Sequence, residues 1–418
     1  MQENNNNFDV AVIGGGPAGM MSAIRAGQLG AKVVLLEKNE TLGNKLLLTG
    51  GGRCNITNAI FNAKKMAKSY GKEGFFLLHA LSVFGPEKII EFLNKNGVKT
   101  KIEKNNKVYC ATDKASNVLK LLIYFLRNTE VVVINKVKVK EIKLSKGKIS
   151  KIISEDKKVI TAKKYIIATG GMSYPSTGST GDGYKFAEKL GHKIETPKPA
   201  LSPIVIKEEW VQKIQGLSLV NAKLDILLNK KKNFSTTGEM IFTHFGLSGP
   251  VILNISGTVN DLIKKGEVKI VLDLNPELTP EALDKIIQNY FTQNINKTLK
   301  NCLGNLLPPK LVPAVLELSK IDANKKVNEV TKEERAKLTK MLKNLEMTAT
   351  GLLGFDQAMI TAGGISLKEI DAKTMKSKII DNLYFAGEII NLHGPTGGYN
   401  LQLCWSTGYL AGQSVGQD

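Results

Sequence analysis

The sequence predicts an α/β fold in which one domain is built from both ends of the chain and carries a β-rich insertion. Three observations predict it. A glycine-rich turn joins a short β-rich run to a helical run near the N-terminus. After Pro197 the alternation of strand and helix gives way to strand-like residues that last to about Leu274. From Met347 the strand-and-turn texture of the first part returns. A chain of 418 residues is also too long for one small core.

The elements follow in order. Phe8–Ile13 (FDVAVI) reads as a buried strand and Gly14–Gly19 as a turn. A helix then ends near Gly27 and Gly30, and Ala31–Glu37 (AKVVLLE) is a second buried strand. Together they make a βαβ unit of roughly 30 residues. Residues 86–97 and 114–127 read as helices. Val131–Ile142 and Lys148–Val159 each read as one strand, with a hairpin at Lys146-Gly147 between them. Tyr165–Ala168 is a short apolar strand, and Gly183–Leu190 a helix. Lys198–Ile206 opens the β-rich region. Pro276–Leu318 reads as helices broken by Pro308, Pro309 and Pro313. The strands LEMTATGL, QAMITAGGI and NLYFAGEI come last, before a helix from about Gly398.

Composition excludes several classes. Apolar residues make up 42% and charged residues 23%, an ordinary globular balance. No apolar run reaches the roughly 18 residues of a membrane span. Met1–Asn7 is polar and lacks the basic-then-apolar order of a signal peptide. Cys54, Cys110, Cys302 and Cys404 are scattered without a CxxC pair, so neither a metal site nor a disulfide framework is expected. A cytoplasmic location with no membrane partner fits. The net charge is +20, and residues 62–164 hold 24 basic against 9 acidic residues. Such a field suits a polyanion such as RNA, held by counterion release. The plainer reading is compositional bias, because 54 of the 58 basic residues are lysine.

The strongest motif is Gly14-x-Gly16-Pro17-Ala18-Gly19 between strand and helix. Gly14 permits the tight turn, Gly16 lets a pyrophosphate approach the backbone, and Gly19 lets helix and strand pack closely. The helix N-terminus offers free N–H groups to phosphate. Glu37 closes the second strand 23 residues after Gly14, where a carboxylate accepts from ribose hydroxyls. A carboxylate there disfavours a 2′-phosphate, so the adenosine of FAD or NAD fits better than that of NADP. The motif does not separate FAD from NAD.

Later segments do so by resemblance. Ala168-Thr169-Gly170-Gly171 is similar to the ATG motif of flavoproteins with two dinucleotide-binding motifs. The stretch from Asn382 to Gly387-Glu388 resembles their second FAD signature, with Glu388 where many relatives have Asp. Gly398-Tyr399-Asn400-Leu401 opens a helix whose dipole would face the flavin. Thr49–Asn58 (TGGGRCNITN), Tyr174–Gly183 (YPSTGSTGDG) and Thr243–Pro250 (THFGLSGP) resemble the hallmark loops of the HI0933-like flavoproteins. One departure is Val108-Tyr109-Cys110, where relatives commonly have proline in place of the cysteine. The resemblance implies a Rossmann-like FAD-binding domain over residues 1–196 and 347–418. It also implies a β-rich insertion over 197–274 and 319–346, and a small helical subdomain over 275–318.

The cofactor residues so expected are the glycine-turn residues Gly14 and Gly16–Gly19, then Glu37 and Lys38. Gly51, Gly52, Arg53, Cys54 and Asn55 of the glycine-rich loop join them, as do Val139, Ala168–Gly170, Gly387, Glu388 and Gly398–Leu401. Arg53 either holds the pyrophosphate or reduced flavin, or bridges to a carboxylate. Cys54 is a candidate proton donor or an inert packed thiol. His244 and His393 are candidate acids or substrate donors, or structural histidines. NADH or NADPH would dock transiently as electron donor, because no second intact GxGxxG is present. The resemblance implies reduction of a C=C bond, in ribosomal RNA uridine through the basic segment or in a small enone. Oxidation of a small amine of the aminoacetone type, or an FAD-containing RNA-binding factor without turnover, are the alternatives.

Overall fold

The structure, a computed structural model, describes residues 7–417. The polar N-terminal stretch that argues against a signal peptide lies, apart from Asn7, outside the described residues. The chain divides into two compact units, parting between Ala200 and Leu201 and again between Gly354 and Phe355.

The first unit begins with β1 (Asn7–Ile13), α1 (Pro17–Gln28), β2 (Val33–Leu36), α2 (Asn44–Leu48), β3 (Asn55–Asn58), α3 (Ala63–Lys68) and α4 (Leu78–Val83). It continues through α5 (Pro86–Lys95), β4 (Thr100–Ile102), β5 (Lys107–Cys110), α6 (Ala115–Asn128), β6 (Val132–Ile134), β7 (Val139–Ser145), β8 (Lys148–Ser154), β9 (Val159–Ile167), α7 (Asp182–Lys189) and β10 (Ile194–Ala200). The second unit holds β11 (Ile204–Ile206), α8 (Trp210–Lys213), β12 (Ser218–Leu228), β13 (Lys231–Thr243), β14 (Gly246–Ser248), α9 (Pro250–Ile263) and β15 (Val268–Asp273). Its last elements are α10 (Pro280–Gln293), α11 (Leu299–Leu303), α12 (Val312–Ser319), α13 (Lys332–Lys343) and β16 (Leu345–Leu352). The chain then returns to the first unit with β17 (Ile360–Ile365), β18 (Leu383–Phe385) and α14 (Tyr399–Gly416).

The main sheet of the first unit runs β6-β2-β1-β9-β8-β7, with β18 also on β9. Strands β6, β2, β1, β9 and β18 are parallel, and β7 and β8 are antiparallel additions. Every residue of β2 is buried, as expected where helices cover both faces of a parallel sheet. This is a Rossmann-type α/β domain. Helix α14 lies close along α1: a Cβ on Gly408 would come within 2.5 Å of the Ala18 carbonyl oxygen, and one on Gly412 within 2.3 Å of that of Ser22.

Several boundaries differ from the sequence reading. Val131–Ile142 is two strands, because Lys136 takes a left-handed φ of 58° and the Val137 N–H turns to the Glu37 carbonyl. Tyr165–Ala168 is no separate strand but largely the buried end of β9, which pairs with β8 early and with β18 late. The small sheet β3-β5-β4 was not legible, since its strands are only three or four residues long.

The second unit is a closed barrel, β11-β14-β13-β12-β15-β16. Helix α9 packs against all six strands and buries Val251, Ile252, Ile255 and Val259. The sequence reading returned the chain to the first domain at Met347, but Leu345–Leu352 is β16, paired with β15 and β11. Its alternate residues Leu345, Met347 and Ala349 are buried in the core of the barrel unit. Residues 319–346, expected to be β-rich, hold helix α13 and only the first two residues of a strand, β16. Helices α10 to α13 share one apolar core with the barrel, so residues 275–318 have no core of their own.

Candidate cofactor site

Helix α1 starts at Pro17 with Gly16 as its N-cap, and no side chain caps it. Its first N–H groups are therefore open to an anion. The glycines behave as their chemistry requires. Gly14 has φ +108°, and a Cβ on Gly19 would sit 1.8 Å from the Gly14 carbonyl oxygen. A Cβ on Gly16 would meet nothing within 4 Å, so this backbone faces open space.

That space is a cleft of about 580 Å3, bordered by Gly14–Ala18, Glu37, Lys45, Ala168–Gly170, Gly387 and Glu388. A second cavity of about 440 Å3 shares Gly14, Glu37, Thr169 and Gly178 with it and adds Lys38, Val139 and Asp182. Glu37 is buried, with Oε2 accepting from Gly15 N–H at 2.7 Å and Oε1 from Asn39 N–H at 2.8 Å. Each oxygen keeps a lone pair for a ligand hydroxyl. Lys38 donates to Thr180 and, at 2.6 Å, to Asp182. Burial opposes ionisation of Asp182, but the hydrogen bonds from Lys38 and Thr180 prevail and hold its pKa below the usual range. The Thr169 hydroxyl is buried without a partner among the described residues. An uncapped helix start, an open Gly16 and an anchored carboxylate fit the ADP half of a dinucleotide.

Glu388, expected from the sequence, borders the same cleft within a network whose other members sequence reasoning missed. Glu388 Oε2 meets Lys45 Nζ at 2.8 Å, and its Oε1 accepts from Thr361 N–H at 2.8 Å and from the Ser173 hydroxyl at 3.0 Å. Lys45 also donates to Ser173 Oγ at 2.7 Å. No motif announces Lys45, which lies five residues before the glycine-rich loop. Thr177, Gly178 and Ser179 also border the cleft, and here the YPSTGSTGDG loop was the signal. Cys404 borders the cleft beside Gly387, and burial pushes its thiol up to about 12.

The glycine-rich loop does not border these cavities. Gly51 and Gly52 are exposed at φ 66° and 86°. Arg53 stacks its guanidinium 4.0 Å from the Tyr109 ring centre, and its Nη1 is 3.0 Å from Glu103 and 3.5 Å from Asp113. Its charge is committed to carboxylates, so the pyrophosphate role is corrected to the bridging one. Cys54 is fully buried, its N–H bonded to the Thr49 carbonyl, and burial pushes its thiol up to about 12. That is the packed, inert thiol of the plainer reading. The Asn55 amide, oriented with its oxygen towards α14, accepts from Gly398 N–H at 3.0 Å. It positions α14, as do Thr57 Oγ1 to Gln402 at 2.6 Å and Trp405 Nε1 to the Ile56 carbonyl at 2.9 Å.

At the start of α14, Gly397 and Gly398 have φ of 115° and 96°. Asn400 turns back on its own loop, accepting from Gly394 N–H and donating to the Gly394 and Pro395 carbonyls. Tyr399 receives the Tyr70 hydroxyl on its carbonyl at 2.7 Å, and Leu401 is buried. His393 is half-buried in this loop, and burial lowers its pKa against the opposing charge of Glu388, leaving it neutral at physiological pH. His244 belongs to the second unit. It is exposed between β13 and β14, edge-on to Phe245 at 4.8 Å.

The model of the HI0933-like protein Rossmann domain matches residues 8–414. This chain belongs to that family. Its members are FAD-dependent oxidoreductases with a Rossmann-type FAD-binding domain. The chain is 34% identical over 412 residues to a 3-dehydro-bile acid delta(4,6)-reductase of Clostridium scindens, covering 98% of this chain and 99% of that one. It is 28% identical over 408 residues to the ribosomal RNA dihydrouridine synthase of Escherichia coli, covering 98% of each. Among solved structures, the family fold is shared with a 3-ketosteroid-delta4-(5alpha)-dehydrogenase of Rhodococcus jostii RHA1. That likeness has a TM-score of 0.56 and 14% identity, over 100% of this chain and 98% of that one. Among the described residues no group of side chains is arranged to hold a metal ion, and no helix is long and apolar enough to cross a membrane.

Proposed function

We propose that this protein is an NAD(P)H-driven reductase of a C=C bond, acting on uridine in ribosomal RNA to give dihydrouridine. The reaction consumes one NAD(P)H and one proton and adds two hydrogens across the bond. Bound FAD supplies the hydride relay for which this fold is built. Gly16, Glu37 and Thr169 bind its ADP half, while the Lys45–Glu388 pair borders the same cleft. We assign proton delivery to His393, in the loop before α14; burial disfavours its charged form, so the ring takes up a proton from solvent in each turnover before passing it on. Of the relatives named above, one is by its name a delta(4,6)-reductase and another a dihydrouridine synthase, which supports this reading.

One observation favours RNA. Lys107 reaches to 3.9 Å from where a Gly397 Cβ would lie, and neither it nor exposed Lys104 has an ion-pair partner among the described residues. Uncompensated cations at the start of α14 suit a phosphate chain beside the reacting group. The cytoplasm, which holds RNA and NAD(P)H, is the matching compartment. A small enone is the second reading, supported by the higher identity to the bile acid reductase, 34% against 28%.

Anaerobic stopped-flow decides between them. FAD-loaded protein is reduced with NADH or NADPH, then mixed with ribosomal RNA lacking the modification, with an enone, or with O2. Fast return of flavin absorbance with RNA alone is the expected result. A fast response to the enone and none to RNA establishes the second reading, and a fast response to O2 alone points to an oxidase.

A further inference from the structure

The basic segment is not uniform. In its second half, Lys136, Lys138, Lys143, Lys148, Lys158 and Lys163 each face a carboxylate within 2.9 Å. In its first half, Lys64, Lys65 and Lys68 of α3 and Lys72 just beyond it are exposed, and none has an ion-pair partner among the described residues. Glu73 is the one acidic residue between Phe61 and His79. Lysines without a carboxylate partner among the described residues also stand elsewhere on this domain, at Lys114, Lys140, Lys151 and Lys157 among others, but here four fall within nine residues, beside two exposed rings.

The same stretch exposes two aromatic rings. Phe61 is 56% exposed and Phe75 50% exposed, on either side of the lysines. An exposed ring offers a face on which any base stacks, and unpaired lysines hold the backbone between. The opposite side of α3 is apolar, with Met66 and Ala67 fully buried, so the helix presents its cations outward. Tyr70 then pins the stretch to the site: its hydroxyl bonds the Tyr399 carbonyl at 2.7 Å and its ring meets that of Tyr399 edge-on at 6.0 Å.

We infer that residues 61–75 are the docking surface for a single-stranded RNA segment, with Phe61 and Phe75 as base platforms and Lys64, Lys65, Lys68 and Lys72 on the phosphates. A strand held there runs past the start of α14, whose other border carries Lys104 and Lys107. Four cations spread over α3 and the turn after it match successive phosphates better than a single carboxylate of a small anion. This inference deepens the RNA reading above and rests on it for the choice of substrate.

The test uses FAD-loaded protein and a short fluorescein-labelled oligouridylate, titrated by anisotropy over a range of salt. The triple variant Lys64→Glu, Lys65→Glu, Lys68→Glu should weaken binding by about tenfold or more and lower the slope of log affinity against log salt by about 2. The double variant Phe61→Ala, Phe75→Ala should weaken it by about fivefold or more with the salt slope unchanged. A control triple of Lys143→Glu, Lys151→Glu, Lys157→Glu, on the antiparallel strands and the turn after β8, should match wild type. An unchanged flavin spectrum and thermal midpoint certify each variant as folded. Equal weakening by the control, no weakening by the α3 variants, or binding of anionic phosphatidylserine vesicles in place of the oligomer overturns the inference. The two readings fail separately. If wild type and α3 variants reduce ribosomal RNA equally well, the surface is wrong and the reaction stands. If the α3 variants lose the oligomer but wild type never responds to RNA in stopped-flow, the surface stands and the reaction is wrong.

Discussion

At the scale of single residues, two glycines of one motif do opposite work. Gly16 faces empty space in the cleft with an ordinary backbone φ of −79°, whereas Gly19 touches the Gly14 carbonyl. Gly16→Ala should therefore leave the unfolding midpoint nearly unchanged and strip the protein of FAD, because its methyl occupies the room of the pyrophosphate. Gly19→Ala should destabilise the fold by about 1–3 kcal/mol through overpacking. Flavin content and urea midpoints measure both, and full FAD occupancy in Gly16→Ala would sink the cofactor assignment. Cys54 carries a pH signature. Burial pushes its thiol from an ordinary 9.0 up to about 12. The unfolded chain releases this proton from about pH 9 while the folded chain retains it to about pH 12, so the stability it contributes is intact below that window and falls as pH rises through it. Cys54→Ala should lose less stability than wild type between about pH 8 and pH 11. Parallel pH profiles of the urea midpoint would contradict the sealed-thiol description.

At the scale of elements, the cofactor cleft depends on how closely α14 lies against α1. Gly408 and Gly412 stand one turn apart and meet the carbonyls of Ala18 and Ser22, themselves one turn apart on α1. Contact at this distance sets where the uncapped start of α1 stands relative to the Gly387-Glu388 wall. Gly412→Ala puts a methyl 2.3 Å from the Ser22 carbonyl oxygen, so the helices must part. The expected result is a loss of about 1–3 kcal/mol and weaker FAD retention, although the substitution lies far along the helix from the cleft. A variant with unchanged thermal midpoint and unchanged flavin content would show that the helix pair is more forgiving than its spacing implies. The element boundaries that the sequence mislaid have one common cause. Val131–Ile142 breaks at Lys136 because the chain must leave a parallel strand for an antiparallel hairpin, and no residue pattern marks that change of partner.

At the scale of the whole molecule, the two units have separate apolar cores. The second is a single uninterrupted stretch of chain, Leu201–Gly354, with a closed barrel that leaves no edge strand open. Expressed alone, that stretch should fold cooperatively and bind no FAD, since every residue of the cleft lies in the first unit. Circular dichroism and a sigmoidal urea transition check this, and a non-cooperative, dye-binding product would show that the barrel needs the rest of the chain.

What the sequence determined by itself was the local chemistry. Gly14, Gly16, Gly19 and Glu37 lie within one βαβ unit, so their spacing alone carries the geometry of a phosphate turn and its ribose carboxylate. The resemblance of the later loops extended that to Ala168–Gly170, Gly387 and Glu388, and each of these borders the cleft. Only the tertiary structure decided partners distant in the chain. Glu388 meets Lys45 and Ser173 across more than 200 positions in each case. Arg53, open to a phosphate or a carboxylate role, is claimed by Glu103 and Asp113, and Cys54, open to a proton-donor or a packed-thiol role, is sealed in the core. Residue type states what a side chain is able to do. Burial and competing partners, which arise only when remote segments pack, decide whether it is free to do it.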